Sequence, residues 1–249
     1  MKWIIDSTLA KGTRKRVNQD RAYAHHLSDG TCFAAVLDGH GRDSECVNYC
    51  YERLPALVNP TRMSGKSPEA FLWDVCKTLA GESRHFESGT TFSAAYLFRS
   101  GWVSIAVIGD SPIIARLPDG KLFVSQEHNA RTNKSERERA VAQGAFFDGG
   151  YIYPPEGNHG LQLTRALGDN FLDEILSREP SIASFSIARG AWVLLASDGL
   201  SDPAHEYSAE HINELAAAIE KDAGPAQLID QACAWGSEDD ITAILCRLN

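Results

Sequence analysis

One apolar run in the first fifth of the chain ends abruptly in residues that carry chemistry. Residues 33–37 are suited to a strand buried on both faces, and Asp38, Gly39, His40 and Gly41 follow directly. A carboxylate at the end of a buried strand is held in place by the sheet. Because Gly39 has no β-carbon, its carbonyl can approach whatever the carboxylate binds, and a hard metal ion suits both oxygens. Taken alone, a tight Asp-Gly turn explains the same residues.

Length and charge limit the classes of protein to consider. The chain has 249 residues, 43% of them hydrophobic, which is enough for one full core, so we expect a single domain over residues 1–249. The formal net charge of -9 disfavours binding to nucleic acid or anionic lipid. The apolar runs at 3–5 and 191–196 are too short for a signal peptide and a membrane span. We therefore expect a cytoplasmic protein with no nucleic-acid or membrane partner.

The order of predicted elements favours an α+β fold. Strands, a helix pair, more strands, another helix pair and a last strand do not alternate as in a doubly wound parallel sheet, and short turns imply antiparallel pairing. We predict two packed antiparallel β-sheets flanked by helix pairs, a four-layer αββα sandwich. The predicted strands are 3–8, 21–25, 31–37, 90–99, 102–108, 112–117, 121–125, 184–188, 191–197 and 241–248, and the predicted helices are 44–57, 67–86, 135–143, 208–221 and 226–235.

A long polar segment interrupts the second group of strands. Residues 127–161 contain the charged helix predicted at 135–143, followed by a loop with two glycines and two prolines at 149–150 and 154–155. Segments of this kind in compact domains are usually functional or mobile. We predict a mobile excursion over about 127–161 that takes part in recognition.

Four aspartates lie where an apolar run meets polar or turn residues: Asp20, Asp38, Asp198 and Asp239. Each one alone has a simpler explanation, because aspartate is common in turns and helix caps. Their shared position at the ends of predicted strands makes them candidates for one common site.

A series of short motifs resembles the metal-dependent Ser/Thr protein phosphatases of the 2C type (PPM), in order, spacing and identity, over about residues 11–244. The motifs are Asn18-Gln19-Asp20, Asp38-Gly39-His40-Gly41, Ser88-Gly89-Thr90-Thr91, Gly109-Asp110-Ser111, Glu136 to Arg139 before Gly144, Thr164-Arg165-Ala166-Leu167-Gly168-Asp169, Ser197-Asp198-Gly199 and Asp239-Asp240-Ile241-Thr242. The resemblance implies a phosphatase of phosphoserine and phosphothreonine proteins, acting against a Ser/Thr kinase in signalling. The family fold is also the layout predicted above.

The resemblance further implies a pair of Mg or Mn ions. Asp38, Asp198 and Asp239 would ligate them, with the Gly39 carbonyl on the second ion, and carboxylates and carbonyls are ligands that these ions prefer. Asp20 would serve as a further metal-site residue that orients metal-bound water.

A third, weaker metal position is seen in many relatives. Here Asp110 and Asp202 would form it together with Asp198. Both Asp110 and Asp202 also fit as ordinary turn acids, and Pro112 stands where an arginine is common.

Two cations about 4 Å apart can acidify a bridging water, which then attacks the phosphomonoester in line. His40 is the candidate general acid for the departing serine or threonine oxygen. A structural hydrogen bond to an acidic neighbour explains His40 equally well, since its unperturbed pKa suits either role. In the motif that ends at Asp169, we interpret Arg165 and Asp169 as architecture.

Lys15 stands where relatives carry the arginine that clamps the substrate phosphate. A lysine offers a point charge in place of a planar fork. If the segment is a strand, alternation turns Arg14 and Arg16 away from the face of Lys15, and a slip of one residue would make one of these arginines the phosphate ligand. A solvated basic face is the simpler alternative.

Two other functions remain open at this point. The chain could be a pseudophosphatase or regulatory binding module that keeps the fold, or a hydrolase of small phosphate esters. The complete set of metal-binding aspartates argues against the first.

Overall fold

The chain alternates groups of strands with pairs of helices. A computed structural model describes residues 1–203 and 209–249. The strands are β1 (Trp3–Ala10), β2 (Arg21–His26), β3 (Cys32–Leu37), β4 (Gly39–His40), β5 (Gly89–Thr90), β6 (Phe92–Leu97), β7 (Trp102–Ile108), β8 (Ile113–Arg116), β9 (Leu122–Val124), β10 (Phe146–Asp148), β11 (Tyr151–Tyr153), β12 (Leu167–Gly168), β13 (Ser181–Ser186), β14 (Trp192–Ala196) and β15 (Ile241–Leu248). The helices are α1 (Glu45–Leu57), α2 (Pro60–Met63), α3 (Pro68–Ser83), α4 (Lys134–Ala142), α5 (Asp198–Ser201), α6 (Ala209–Glu220) and α7 (Pro225–Ala234), with a 3-10 turn at Asn170–Leu172. Among the described residues, no helix is long and apolar enough to cross a membrane.

Two five-stranded antiparallel sheets form the centre of the fold. The first has the order β1-β15-β14-β8-β9, and the second has the order β13-β7-β6-β3-β2. Helices α1 and α3 contribute to a core with the second sheet, and α6 and α7 contribute to a core with the first. A third core lies between the sheets. The predicted four-layer α+β sandwich is confirmed.

Strand β3 shows how the sequence produces these layers. All six of its residues are buried, so the run is apolar throughout, unlike the alternating pattern of a strand with one solvated face. Phe33, Ala35 and Leu37 face the helices, whereas Ala34 and Val36 face the other sheet, because successive side chains point to opposite faces. The strand is therefore held on both sides up to the residue before Asp38.

Several predicted boundaries were wrong. The predicted strand 90–99 is broken into β5 and β6 at Thr91, whose N–H donates to the Asp38 carbonyl and whose Oγ1 accepts from the Asp38 N–H. Strand β5 instead joins β4 and β12 in a small sheet. The strand predicted at 184–188 is β13, which begins three residues earlier, at Ser181. In β13 the Ser184 hydroxyl forms a hydrogen bond with the Ser104 hydroxyl of β7 at 2.8 Å. The predicted start of a helix at Ser208 lies outside the described residues.

The segment 127–161 has more structure than its composition predicts. Helix α4 is followed by a hairpin of β10 and β11, which the sequence analysis missed. Its turn residues Gly149 and Gly150 both have positive φ, 56° and 93°, and such a two-residue turn suits the twist of a hairpin. In the sequence, the two glycines between two short aromatic runs were the feature that could have indicated this hairpin.

The buried carboxylate of Glu136 joins α4 to the Thr164–Asp169 motif. Glu136 accepts hydrogen bonds from Thr164 Oγ1 at 2.9 Å and from Arg165 Nε at 3.0 Å, and it forms an ion pair with Arg139 at 3.3 Å. Burial opposes ionisation of Glu136, but the Arg165 bonds outweigh it and lower its pKa from 4.5 to about 2. The architectural interpretation of Arg165 agrees with these contacts.

Glu136→Gln is expected to destabilise the protein by about 2–3 kcal/mol, because it leaves Arg165 half-buried with weaker acceptors. Since the folded-state pKa of Glu136 is depressed, its contribution is present above pH 4.5 and is lost as the pH falls toward about 2. Urea unfolding at pH 7 and at pH 3 measures both effects. Glu138→Gln on the same helix is the matched control, because Glu138 is 65% exposed in its pair with Lys134. Equal effects of the two substitutions would contradict this role of Glu136.

Candidate active site

A cleft of about 290 Å³ opens where strands of both large sheets end. Its lining includes Lys15, Asp38, His40, Asp110, Asp198 and Asp239. Asp38 follows β3, Asp110 follows β7, Asp198 follows β14 and Asp239 precedes β15. The packing of the two sheets thus brings together carboxylates that are far apart in sequence.

The backbone around Asp38 is fixed from two sides. The Asp38 N–H donates to Thr91 Oγ1 at 3.0 Å, and the Asp38 carbonyl accepts from Thr91 N at 2.9 Å. A β-carbon on Gly39 would lie 2.6 Å from the Gln19 carbonyl oxygen, so no other residue fits there without movement of the backbone. This contact gives a reason for glycine at position 39 that is separate from the predicted approach of its own carbonyl to a bound ion.

Asp240 has a structural task beside Asp239. Its Oδ1 accepts from Gly12 N and its Oδ2 from Gln19 N, both at 2.8 Å. Asp240 thereby ties the loop before β2, which carries Lys15, to the start of β15.

Asp20 lies behind the cleft and is buried. Its Oδ2 accepts from Thr242 Oγ1 at 2.7 Å, and no donor in the described part of the chain reaches its Oδ1. Gln19, beside it, donates to the Asp43 carbonyl at 2.7 Å.

Asp110 and Asp198 also face a smaller cavity, together with Asp202 and Glu127. Asp110 accepts from Asn129 Nδ2 at 2.9 Å, and Asp202 forms an ion pair with Arg131 at 3.4 Å. Glu127 is the first residue of the predicted excursion, and no sequence motif marks it as a site residue.

The carboxylates create a strongly negative local field. Burial, followed by the charges of Asp20, Asp198 and Asp239, raises the pKa of Asp38 well above its ordinary value. Burial also raises the pKa of Asp20 to about 7 and that of Asp110 to about 8. Groups that resist ionisation in this way ionise readily beside a cation.

The donor set fits a hard divalent cation. It consists of carboxylate oxygens and a backbone carbonyl, and the buried Asp20 Oδ1 lacks a protein donor among the described residues. No three acidic, histidine or cysteine side chains in that part of the chain already converge closely enough to hold an ion. A bound cation would offset the mutual repulsion of these carboxylates in their ionised forms.

Lys15 contacts the acidic cluster directly. Its Nζ lies 2.8 Å from Asp239 Oδ1, and its side chain is 29% exposed. Burial lowers the pKa of Lys15, but the hydrogen bond to Asp239 and the charges of Asp239, Asp38 and Asp240 together outweigh burial and raise the pKa overall. Lys15 therefore stays protonated in the cleft.

The strand considered for the segment around Lys15 is wrong, although Lys15 does lie at the cleft. Residues 11–20 lie in a loop between β1 and β2 and not in a strand, so alternation does not decide which side chain enters the cleft. Arg14 is 78% exposed and pairs with Glu238, and Arg16 is exposed. Of the three basic residues, only Lys15 lines the cleft.

His40 forms a hydrogen bond to an acidic neighbour, as the structural alternative for this residue required, and the neighbour is Asp169. His40 Nε2 lies 2.8 Å from Asp169 Oδ2. Burial lowers the pKa of His40, but the Asp169 carboxylate outweighs burial and the net shift is upward. Asp169, interpreted from sequence as architecture, is thus part of the site. The Thr164–Asp169 motif marked Asp169 in the sequence. The motif could not indicate His40 as the partner, because the two residues are 129 positions apart.

The excursion also reaches the cleft. Tyr151 of the hairpin and Leu161 at the end of the excursion both line it. The proximity expected between this segment and the site is therefore present.

The chain matches the sequence profile described as Protein phosphatase 2C over residues 10–241. It is similar to probable protein phosphatase 2C 76 of Arabidopsis thaliana, with 29% identity over 230 residues that cover 87% of this chain and 51% of that protein. It is also similar to the mitochondrial protein phosphatase 1K of Xenopus laevis, with 25% identity over 93% of this chain and 65% of that protein. The chain thus spans about half to two thirds of the length of these curated relatives.

Solved structures share the fold. The serine-threonine phosphatase 2C from Toxoplasma gondii superposes with a TM-score of 0.77 at 21% identity, covering 98% of this chain and 94% of that one. The catalytic domain of the serine/threonine protein phosphatase PstP, solved in complex with two manganese ions, gives a TM-score of 0.62 at 22% identity, covering 98% and 97%. Because the profile match covers nearly the whole chain, the chain belongs to the protein phosphatase 2C family.

Proposed function

We propose that this chain is a metal-dependent phosphatase of phosphoserine and phosphothreonine proteins. The observation that carries the proposal is the cluster of Asp38, Asp198 and Asp239, which the fold brings to one cleft from both sheets. Family membership supports it. Under this proposal a Ser/Thr kinase supplies the phosphoproteins that the chain dephosphorylates in signalling.

Asp38, Asp198, Asp239 and the Gly39 carbonyl would hold two Mg or Mn ions, with Asp20 beside them. The two manganese ions in the PstP structure support this number. Asp110 and Asp202, with Asp198, would hold a third. When bound, such ions acidify a water and screen the phosphoryl oxygens.

The chain's own residues supply positioning and a proton. Lys15, charged and at the cleft, would attract the phosphate group of the substrate. His40, held protonated by Asp169, would donate its proton to the departing serine or threonine oxygen, so that an alcohol leaves and not an alkoxide. Asp169 would keep the imidazole ring oriented and is a positioning residue.

Turnover of a phosphoserine peptide by the purified protein tests the proposal. We expect phosphate release that depends on added Mn or Mg and stops with a chelator. Binding of the peptide without release would favour a pseudophosphatase, and release from metabolite phosphates but not from phosphoproteins would favour a hydrolase of small esters. Either result would overturn the proposed function.

Lys15→Arg is expected to lower the KM for phosphopeptides by up to about tenfold, because a guanidinium adds one hydrogen bond to the phosphate, worth ~1 kcal/mol. Lys15→Ala should raise KM. Steady-state kinetics at saturating Mn measures both.

Arg14→Ala is the matched control for Lys15→Ala, since Arg14 pairs with Glu238 outside the cleft lining. Arg14→Ala and Arg16→Ala should change KM little. A large effect of either arginine, with Lys15→Ala silent, would assign the phosphate contact to that arginine.

A further inference from the structure

A second cavity adjoins the candidate active site on the side of His40. Its volume is about 530 Å³, and it shares His40 and Leu161 with the cleft that holds the aspartates. Four separate segments form its walls: 40–43 after β3, 87–88 before β5, 159–161 at the end of the excursion, and 169–171. We call it the flanking cavity.

The position of His40 determines the direction in which a substrate extends. A general acid must lie within hydrogen-bond reach of the oxygen that it protonates. The serine or threonine side chain that leaves, and the polypeptide attached to it, must therefore lie on the His40 side of the cleft. The flanking cavity shares His40 with the cleft, so it adjoins the place of the leaving group.

The lining offers unused groups for a ligand. Phe171 is 41% exposed and, with Leu161, presents apolar surface. The side chains of Arg42, Glu87 and His159 are exposed and form no hydrogen bond or ion pair with the described residues. Exposed groups at a concave surface beside a reaction centre are typical of binding sites.

The lining of the flanking cavity carries more negative than positive charge. Asp43, Glu87 and Asp169 contribute three carboxylates, against the guanidinium of Arg42 and the imidazoles of His40 and His159. Asp169 is paired with His40, which leaves Asp43 and Glu87 facing Arg42. Asp43 uses its Oδ1 to accept from Ser88 Oγ at 2.6 Å and from Glu45 N at 2.9 Å, which leaves Oδ2 for another donor. The flanking cavity therefore suits an apolar side chain together with a basic one.

We propose that the flanking cavity binds the polypeptide next to the phosphorylated residue and selects a segment with an apolar side chain against Phe171 and a basic side chain near Glu87. The inference rests on the proposed function, because it takes the leaving group to be a serine or threonine of a protein. The occupant is the substrate's own chain, since the cavity adjoins, through His40 and Leu161, the cleft in which its phosphate would react.

The test compares phosphoserine peptides that differ only in their flanking residues. One set carries leucine and arginine at the neighbouring positions on either side, and the other carries alanine there. Wild type should prefer the leucine and arginine set in kcat/KM. Phe171→Ala should lower that preference by about tenfold, mainly through KM, as is usual for loss of an apolar contact. Glu87→Gln should lower it by about threefold and weaken its dependence on salt.

Two matched variants control for general surface effects. Phe146→Ala removes an aromatic ring that is 64% exposed on the hairpin, and Glu174→Gln neutralises an exposed acid. Neither residue lines either cavity. Neither should alter the preference. Turnover of p-nitrophenyl phosphate, which has no flanking residues, should stay unchanged in all four variants.

The outcomes separate this inference from the proposed function. If the phosphoserine peptides are turned over with Mn but Phe171→Ala leaves the peptide preference unchanged, the inference is wrong and the proposed function stands. The same holds if Phe146→Ala has an equal effect, or if Phe171→Ala changes only self-association in sedimentation. If wild type turns over neither substrate with Mn, the proposed function fails and the inference fails with it.

Discussion

Asp38→Asn and Asp239→Asn are each expected to reduce turnover by roughly three orders of magnitude or more at saturating Mn. Each substitution removes one negative ligand from a centre that has to hold two dications and activate a water. Both aspartates line the cleft, and Asp38 also lies in the field of Asp20, Asp198 and Asp239. Steady-state turnover of an aryl phosphate and of a phosphoserine peptide measures the loss.

A stability measurement distinguishes loss of chemistry from misfolding. Because the pKa of buried Asp38 is raised in the folded protein, its ionisation costs folding free energy at neutral pH. Asparagine does not ionise, so metal-free Asp38→Asn should unfold at a higher temperature than metal-free wild type at pH 7. Added Mn should stabilise wild type more than the variant.

Two further aspartates serve as controls for this prediction. Asp119→Asn removes the same charge from an exposed turn and should leave activity unchanged. Asp240→Asn keeps only one of the two acceptors that bind Gly12 N and Gln19 N, so it should lose about 1 kcal/mol of stability while retaining much of its activity. Near-native activity of Asp38→Asn would remove Asp38 from the proposed metal ligands.

His40→Gln is expected to lower turnover of phosphoserine peptides by about 10²–10³-fold, a typical range for loss of general acid catalysis. Turnover of p-nitrophenyl phosphate should fall far less, because nitrophenolate leaves without a proton. The ratio of the two losses is the informative quantity. His25→Gln, an exposed histidine on β2, should change neither rate. Equal losses on both substrates would assign His40 a structural role only.

Asp169→Asn should change the pH dependence of peptide turnover, because it alters the pKa at which His40 loses its proton. The Asp169 carboxylate raises the pKa of His40 against the opposing effect of burial. Without that charge, His40 loses its proton at a lower pH, so the alkaline decline of peptide turnover should begin at a lower pH than in wild type. An unchanged profile would contradict the positioning role of Asp169.

The layers of the fold could be predicted from sequence because the strands that build them carry a clear signal. The predicted limits of β7 and β15 agree with the structure, since their apolar residues end at turn residues. The hairpin of β10 and β11 could not be predicted in the same way. Each strand has three residues, too few to show a period, and the flanking glycines and prolines resemble those of a loop.

The site residues that could be predicted are likewise those next to long strands. Asp38, Asp198 and Asp239 each follow or precede a strong strand, so their meeting could be inferred from strand ends. The contact between His40 and Asp169 depends on the small sheet of β4, β5 and β12, whose members have two residues each. The contact of Lys15 depends on a loop held by Asp240. Neither loop geometry nor two-residue strands leave a periodic trace in a sequence.

The candidate metal site can form only late in folding, because its carboxylates come from both large sheets. Asp38 and Asp110 come from one sheet, and Asp198 and Asp239 come from the other, across some 200 residues of chain. Neither sheet alone presents the full set, so tight uptake of a cation has to wait until the last strand, β15, has paired and the sheets have docked. Contacts this distant in sequence form late and slowly. The rate at which refolding protein captures Mn would therefore time the final assembly of the sandwich, while the secondary structure seen by circular dichroism would form before it.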